Sequence, residues 1–529
     1  MQLPLLLLFL FLLALASPAL ARRHAPPDTT TTTETLDVAA SLSLARAALV
    51  STADQLLHHS SLATATTTTS ETFNGDLTGN NNNRLTLHLH SRDFLPTRTF
   101  RPSSSMAPRH ATYESLIHAR LRRDAARAAA VSARASLSSE GLTISSAGGL
   151  IPSDQTPIFS ASAASAAALL QGPVVSGVGQ GSGEYFSRIG IGSPARQLYM
   201  VLDTGSDVTW LQCAPCADCY AQSDPLFDPA LSSSYATVPC DSPHCRALDA
   251  SACHNNAANG NSSCVYEVAY GDGSYTVGDF ATETLTLGGD GSAAVHDVAI
   301  GCGHDNEGLF VGAAGLLALG GGPLSFPSQI SATEFSYCLV DRDSPSASTL
   351  QFGASDSSTV TAPLMRSPRS NTFYYVALNG ISVGGETLSD IPPAAFAMDE
   401  QGSGGVIVDS GTAVTRLQSS AYSALRDAFV RGTQALPRAS GVSLFDTCYD
   451  LAGRSSVQVP AVSLRFEGGG ELKLPAKNYL IPVDGAGTYC LAFAATGGAV
   501  SIVGNVQQQG IRVSFDTAKN TVGFSPNKC

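Results

Sequence analysis

Read from its amino terminus, the chain opens on one apolar run from Leu3 to Leu20, ending in Pro18-Ala19-Leu20-Ala21 and followed by Arg22-Arg23. A small-x-small triplet behind an apolar stretch reads as a secretory signal, with the cut after Ala21 and residues 1–21 removed. No Lys or Arg precedes the run, and it is nearly long enough to span a bilayer, so an uncleaved anchor is the alternative. From Arg22 to about Gly149 the apolar positions thin out. Tracts such as Thr29–Thr33, Thr66–Thr69 and Asn80–Asn83 cannot offset the entropy of ordering them. Two stretches there carry a period: Leu85-Thr86-Leu87-His88-Leu89-His90 alternates as a strand, and Tyr113 to Ala135 reads as an Arg- and Ala-rich helix. The rest of the chain reads as a β-rich body of short apolar runs and Gly-rich turns.

Composition narrows this picture. Of 529 residues 43% are hydrophobic, enough for a sizeable core, while only 14% are charged, which argues against coiled coils and charge-laced bundles. The net charge of −13 argues against nucleic acid as the main partner, because phosphate binding needs a basic face. That charge divides unevenly: residues 22–150 carry +3 and residues 151–529 carry −16. A basic segment ahead of an acidic body suggests an intramolecular partner, as in a zymogen prosegment; a solvated leader is the bland alternative. No second long apolar stretch follows and the C-terminus is polar, so neither a stable membrane anchor nor a GPI signal is expected.

All twelve cysteines follow residue 212: Cys213, Cys216, Cys219, Cys240, Cys245, Cys253, Cys264, Cys302, Cys338, Cys448, Cys490 and Cys529. Cys213-Ala-Pro-Cys216-Ala-Asp-Cys219 taken alone allows a metal or iron–sulfur loop. An even count behind a secretory signal favours disulfides instead. With no HExxH and scattered His, a metal hydrolase has little support, and no metal or other cofactor is expected. Asn261-Ser262-Ser263 is the one N-glycosylation triplet. Together these place the protein outside the cell, in the apoplast or cell wall, with the vacuole or endomembranes as alternatives.

Two segments carry the chemistry. Asp203-Thr204-Gly205-Ser206-Asp207-Val208-Thr209-Trp210-Leu211 is echoed 206 residues later by Asp409-Ser410-Gly411-Thr412-Ala413-Val414-Thr415-Arg416-Leu417. Each follows an apolar strand-like run, Tyr199–Leu202 and Val406–Val408, so the body reads as a duplicated β lobe delivering one Asp per lobe. Two carboxylates brought together cannot both ionise cheaply and share a proton over a wide pH range. One then accepts a proton from water while the protonated one polarises a carbonyl. Gly205 and Gly411 let backbone N–H groups approach the carboxylates. Thr204 and Ser410 can lock the two loops together, and Ser206 and Thr412 can hold the outer carboxylate oxygens. A single such tetrapeptide is ordinary turn chemistry; two in matched context are not. Tyr266–Gly278 reads as a hairpin around Asp272-Gly273, able to close over the pair, and Trp210, the only Trp, lies beside the first Asp loop.

With these motifs, residues 181–529 resemble the pepsin-like aspartic proteases, in particular the nepenthesin-type plant group. The resemblance also rests on Gly183–Gly192, Tyr270-Gly-Asp-Gly-Ser, Ile502-Val-Gly-Asn505 and Val513-Ser-Phe-Asp516. It implies a mainly β, bilobal fold of two related six-stranded-type lobes with a cleft between them, and Asp203 and Asp409 as the catalytic pair. It implies Tyr270 as a flap tyrosine bonded to Trp210, with Asp272 beside it on the flap, and six disulfides. The pairing it implies is Cys213–Cys216, Cys219–Cys302, Cys240–Cys264, Cys245–Cys253, Cys338–Cys529 and Cys448–Cys490. One departure stands out: in Leu316-Leu317-Ala318-Leu319-Gly320, Ala318 occupies a position where the family usually has Gly, adding a methyl behind the first Asp loop.

The expected division is therefore a signal (1–21), a propeptide (22–172), an N-terminal lobe with a Cys-rich insert and flap (173–345) and a C-terminal lobe (346–529). The expected function is a secreted, monomeric aspartic endopeptidase, made as a zymogen with its own propeptide as partner and polypeptides as substrates. A catalytically silent binding or inhibitor protein on the same fold is the alternative. Gly380-Ile-Ser-Val-Gly384 matches GxSxG but lacks the following helix of a nucleophile elbow. Gly177-Val-Gly-Gln-Gly likewise lacks the strand–helix setting of a nucleotide loop.

Overall fold

The computed structural model describes residues 31–48, 85–91, 112–140, 142–144, 150–152 and 185–529. Within the last span, residues 256–261, 271–273, 288–292, 309, 311, 342, 344–346, 354–357 and 528 fall outside the description. Residues 1–21, expected to be a signal, Asn261 and Asp272 therefore lie outside the described residues. Among the described residues no helix is long and apolar enough to cross a membrane.

The body is built from one supersecondary unit used twice. In the first, strand β3 (Tyr185–Ile191) pairs antiparallel with β4 (Arg196–Asp203), whose last residue is the first motif Asp. The chain passes through the motif loop into β5 (Trp210–Gln212). It then forms the hairpin β6 (Ser262–Ala269) and β7 (Tyr275–Leu287), returning along β8 (Ala293–Glu307). Strand β9 (Gly315–Ala318) then runs between β4 and β5, parallel to β4 with Leu317 opposite Leu202 and Ala318 opposite Asp203, and antiparallel to β5. These strands are buried on both faces, which is why they read as continuous apolar runs rather than an alternation.

The second lobe repeats the arrangement. Strands β10 (Glu334–Cys338) and β11 (Ser348–Phe352) lead across. Strand β12 (Val406–Val408) ends next to Asp409, and β13 (Thr415–Gln418) leads into helix α3 (Ser419–Gly432). Strand β14 (Ser456–Pro460) lies further along the lobe. Strand β15 (Ser501–Val503) runs parallel to β12, with Ile502 opposite Ile407, and antiparallel to β13, with Ile502 opposite Arg416. The mainly β, two-lobed architecture matches expectation.

A shared sheet ties the lobes. Strand β10 pairs with β11 on one side and with β16 (Ile511–Asp516) on the other, and β16 pairs with β17 (Thr521–Pro526). Its aromatic side chains pack on one another: Phe515 stacks on Phe335 at 5.0 Å and meets Tyr374 at 4.4 Å between ring centroids. Leu85–Ser91, strand β2, adds to the far edge of this sheet, pairing with β11 through Leu87 opposite Leu350 and with β3 through His90 opposite Phe186. Leu87 and Leu89 are both buried there.

Two features of the leader exceed what its composition suggested. The expected helix runs from Tyr113 to Glu140, five residues past Ala135 (α2), and begins on a reciprocal cap: Ser115 N–H donates to Thr112 Oγ1 at 3.1 Å and Thr112 N–H to Ser115 Oγ at 3.3 Å. Nearer the amino terminus, Thr33–Asp37 (β1) pairs with β14, and Val38–Ala48 (α1) follows, with Asp37 capping it through Ala40 N–H at 2.8 Å. Leu36, Val38, Leu42 and Ala45 are buried against the C-terminal lobe. The Thr tract that reads as low complexity thus borders a two-stranded pairing, where backbone bonds and a few apolar residues suffice.

The disulfides correct the expected pairing. Cys338–Cys529 and Cys448–Cys490 are present, but the other four are Cys213–Cys302, Cys216–Cys219, Cys240–Cys253 and Cys245–Cys264. Strand order decides this. β5 runs parallel to β8 with Leu211 opposite Cys302, which leaves Cys213 beside Cys302 at a Cα separation of 5.4 Å. A short helical turn at Pro243–Arg246 lays Cys245 on β6 against Cys264, and Cys240 falls beside Cys253. Gly380–Gly384 is the end of a strand, Leu378–Val383, that turns at Gly384 and Gly385 with positive φ.

Truncating the centre of the shared sheet should be felt by both lobes: Phe515→Ala is expected to cost about 3–5 kcal/mol, measured as a lowered midpoint of denaturant unfolding.

Candidate functional site

The two motif loops meet at the lobe interface, each delivered from the end of a buried strand. The hydrogen bonds around the two carboxylates repeat nearly in register. Gly205 N–H donates to Asp203 Oδ1 at 2.9 Å and Gly411 N–H to Asp409 Oδ1 at 3.2 Å. Ser206 Oγ donates to Asp203 Oδ2, and Thr412 Oγ1 to Asp409 Oδ2 at 2.6 Å. The loops are tied across the interface by Ser410 N–H donating to Thr204 Oγ1 at 3.0 Å, with Thr204 Oγ1 also 3.3 Å from Asp409 Oδ1. Both carboxylates are buried, Asp203 to 2% and Asp409 to 1% exposure.

The repetition extends behind the loops. Ala318 N–H donates to Thr209 Oγ1 at 3.1 Å, and its counterpart Gly504 N–H donates to Thr415 Oγ1 at 3.0 Å. A Cβ at Gly504 would stand 2.5 Å from the Ala413 carbonyl, so the second lobe requires glycine there. In the first lobe the Ala318 methyl lies in the cluster of Trp210, Tyr270, Phe310 and Leu324 without breaking the equivalent hydrogen bond. Behind the second loop, Asn505 Nδ2 donates to Ser410 O at 2.9 Å and Gln508 Nε2 to Asp409 O at 3.2 Å. Asn505 entered the sequence reading only as the end of the Ile502–Asn505 element and Gln508 not at all, because their targets are backbone atoms some hundred residues away.

Tyr270 and Trp210 come together beside the first carboxylate, with Trp210 Nε1 donating to Tyr270 Oη at 2.9 Å. Phe310 packs edge-on against both rings. Burial, reinforced by the charge of Asp203 and partly offset by hydrogen bonds from Trp210 and Ser206, pushes the Tyr270 hydroxyl up to about 12. It is therefore a neutral hydrogen-bonding group at any physiological pH.

The space between the carboxylates is filled by a residue that the sequence reading passed over. Arg127, on α2, places one guanidinium across both acids: Nη1 donates to Asp203 Oδ2 at 3.0 Å and Nη2 to Asp203 Oδ1, while Nε reaches Asp409 Oδ2 at 3.2 Å and Nη2 reaches Asp409 Oδ1 at 3.1 Å. A planar fork of donors can bond two carboxylates at once as an ammonium would not. Burial pushes the Asp409 carboxyl up, but the charge and hydrogen bonds of Arg127, with those of Thr412 and Gly411, outweigh it and hold the group below the ordinary range. Burial pulls the guanidinium down, and the two carboxylates more than reverse this, so Arg127 stays charged.

The rest of α2 is fitted to the cleft. Arg134 donates to the Gly205 carbonyl at 2.6 Å and lies over the Phe373 ring. Arg120 and Tyr113 both reach Asp343, at 2.6 Å each. Asp124 accepts from the backbone of Ala413 and Val414. Arg120, Arg127 and Arg134 recur every seven residues, two turns of helix, and so lie on one face; that period was the available signal.

Comparisons with known proteins agree with this geometry. Two family profiles match, Xylanase inhibitor N-terminal over residues 185–354 and Xylanase inhibitor C-terminal over residues 373–526. The chain is 57% identical over 362 residues to Aspartyl protease family protein 2 of Arabidopsis thaliana, covering 67% of this chain and 73% of that one. It is 47% identical over 471 residues to Protein ASPARTIC PROTEASE IN GUARD CELL 2 of the same plant, covering 88% and 92%. Against aspartic proteinase nepenthesin-1 of Nepenthes gracilis the identity is 42%, covering 68% and 82%. Among solved structures, edgp matches with a TM-score of 0.54 at 21% identity, covering 65% of this chain and 91% of that one. Soybean Basic 7S globulin matches with 0.51 at 19%, covering 64% and 92%; both are likenesses of fold. The chain belongs to the pepsin-like aspartic proteases, in their nepenthesin-type plant branch, a family of aspartic-type endopeptidases.

Proposed function

We propose that the chain is the zymogen of a secreted acid endopeptidase in which Asp203 and Asp409 activate water and Arg127 blocks them until acid releases α2. The observation that carries this reading is the single guanidinium bonded to both motif carboxylates. With the helix gone, two desolvated carboxylates face each other and retain one proton between them. The ionised one takes a proton from a water held where the guanidinium lay, and the protonated one donates to the carbonyl oxygen of the scissile peptide. Water oxygen bonds to the carbonyl carbon. The tetrahedral diol then collapses as a proton passes to the peptide nitrogen, and the C–N bond breaks to give an acid and an amine. Gly205, Ser206, Gly411 and Thr412 hold the two acids in place, and Thr204 with Ser410 keeps the loops in register. Tyr270, fixed by Trp210, serves as the flap residue over substrate.

The latch has a definite pH sense. Asp409 is held below its ordinary range in the docked state, so docking gains stability above that range and loses it as pH falls through the lowered value. The proposed propeptide, residues 22–172, is basic and the remainder acidic, which weakens their attraction in the same direction. Secretion to the apoplast or vacuole, a monomeric state and glycosylation at Asn261 complete the reading. The name of the matching family profiles, Xylanase inhibitor, favours one second reading, a binding protein on the same fold without activity.

Two experiments test these points. Removing one member of a buried ion pair costs about 3–5 kcal/mol, so Arg127→Met is expected to release α2 at a higher pH than wild type, followed by the onset of self-processing across a pH series. In acid, Asp203→Asn and Asp409→Asn should each lower cleavage of a protein substrate at least a thousandfold, and pepstatin should inhibit the wild-type protein. Wild-type protein that is inert across the acid range, with α2 removed, establishes the binding reading instead.

A further inference from the structure

One turn before Arg127, the helix delivers a second charge into a separate, already shaped site. Asp124 is 2% exposed. Its Oδ1 accepts the backbone N–H of Ala413 at 2.6 Å and of Val414 at 3.0 Å, and its Oδ2 accepts from Arg416 Nη2. All three donors belong to the segment that follows the second motif loop, four to seven residues beyond Asp409. Two converging backbone N–H groups and a guanidinium form a carboxylate-binding nest. Arg416 is 6% exposed, and its Nη1 has no hydrogen-bond partner among the described residues.

That buried cation borders open space. Arg416 lines a cavity of about 530 Å³ between α2 and the C-terminal lobe, with Ala128 and Ser132 on the helix side and Leu444, Ala494 and Gly497 on the other. The one acid in that wall, Asp446, is already engaged by Tyr422 at 2.5 Å, Thr447 at 2.7 Å and Arg426 at 3.3 Å. Departure of α2 removes the only carboxylate bonded to Arg416 among the described residues, Asp124, and takes away the helix wall of the cavity. A guanidinium left buried without a counter-ion is costly, so the site favours a replacement anion.

We propose that Ala413, Val414 and Arg416 form a substrate subsite that selects an acidic side chain, Glu or Asp, near the cleaved bond. In the proposed zymogen Asp124 occupies that subsite as a substrate mimic. This inference rests on the endopeptidase reading. Arg416 is a specificity residue, distinct from the groups proposed to act on water.

The test uses protein activated in acid and a set of peptides that differ only in carrying Glu or Gln at one position on either side of the cleaved bond. All end in a C-terminal amide, so the side chain is the only variable carboxylate, and assays run above the ordinary Glu range, at about pH 5.5. At one position the Glu peptide should exceed its Gln twin about tenfold in kcat/KM, the size of one charge-assisted hydrogen bond set. Arg416→Met should bring that ratio to about one, and Arg416→Lys should keep part of it. The ratio is taken within one preparation, so partial misfolding of a variant cancels. Ratios near one at every position in wild type, or a ratio unchanged in Arg416→Met, overturn the subsite and leave the endopeptidase reading standing. Cleavage of neither peptide overturns both.

Discussion

Two carboxylates in one dry interface impose the constraint on which this structure turns. Neither can remain ionised beside the other without a shared proton or a cation. The fold supplies a hydroxyl and an N–H to each acid, which orients both without neutralising either. The leader supplies the cation, because Arg127 spans both acids with one planar group. The same geometry that brings two carboxylates together makes the pair a cation site, and the chain fills that site from within.

The pseudo-twofold arrangement explains why so few residues suffice. Each lobe needs one strand ending in Asp, one loop with a small residue and a hydroxyl, and one crossing strand behind them. The lobes are not interchangeable, however. Gly504 leaves no room for a Cβ beside the Ala413 carbonyl, whereas Ala318 carries its methyl into an apolar cluster with Trp210, Tyr270 and Phe310. The backbone hydrogen bond to the supporting Thr survives in both. The first lobe thus tolerates a side chain where its counterpart cannot, since Trp210, Tyr270 and Phe310 provide an apolar wall for it.

The helix across the cleft is matched to it by charge at several points along its length: Arg120 to Asp343, Asp124 to the nest at Ala413–Arg416, Arg127 to the motif acids and Arg134 to the Gly205 carbonyl. Buried charges tolerate no mismatch, so these pairs fix the register of α2 more strictly than its apolar residues would. Farther back, β1 and α1 hold the leader to the C-terminal lobe through strand pairing with β14 and four buried apolar side chains. Leader and body are therefore joined at strand β14 of the C-terminal lobe, at the shared sheet and at the cleft.

Much of this was written locally. The paired Asp motifs, the apolar runs before them, the alternation at Leu85–His90 and the helical stretch from Tyr113 are short-range patterns, and short-range patterns survive in a linear reading. The number of cysteines and the charge division were legible for the same reason. What the sequence left open depended on which distant segments become neighbours. Cys213 bonds to Cys302 because β5 runs beside β8, not because of any spacing between cysteines. Arg127, Asp124 and Arg416 read as ordinary helix and strand charges until the two lobes and the leader are brought together. Asn505 and Gln508 act on backbone carbonyls that only folding brings near them. By itself the sequence determined the two-lobed β fold and the paired Asp motifs; the tertiary structure decided what fills the space between them, because desolvation and pairing of charge exist only once the chain has closed around them.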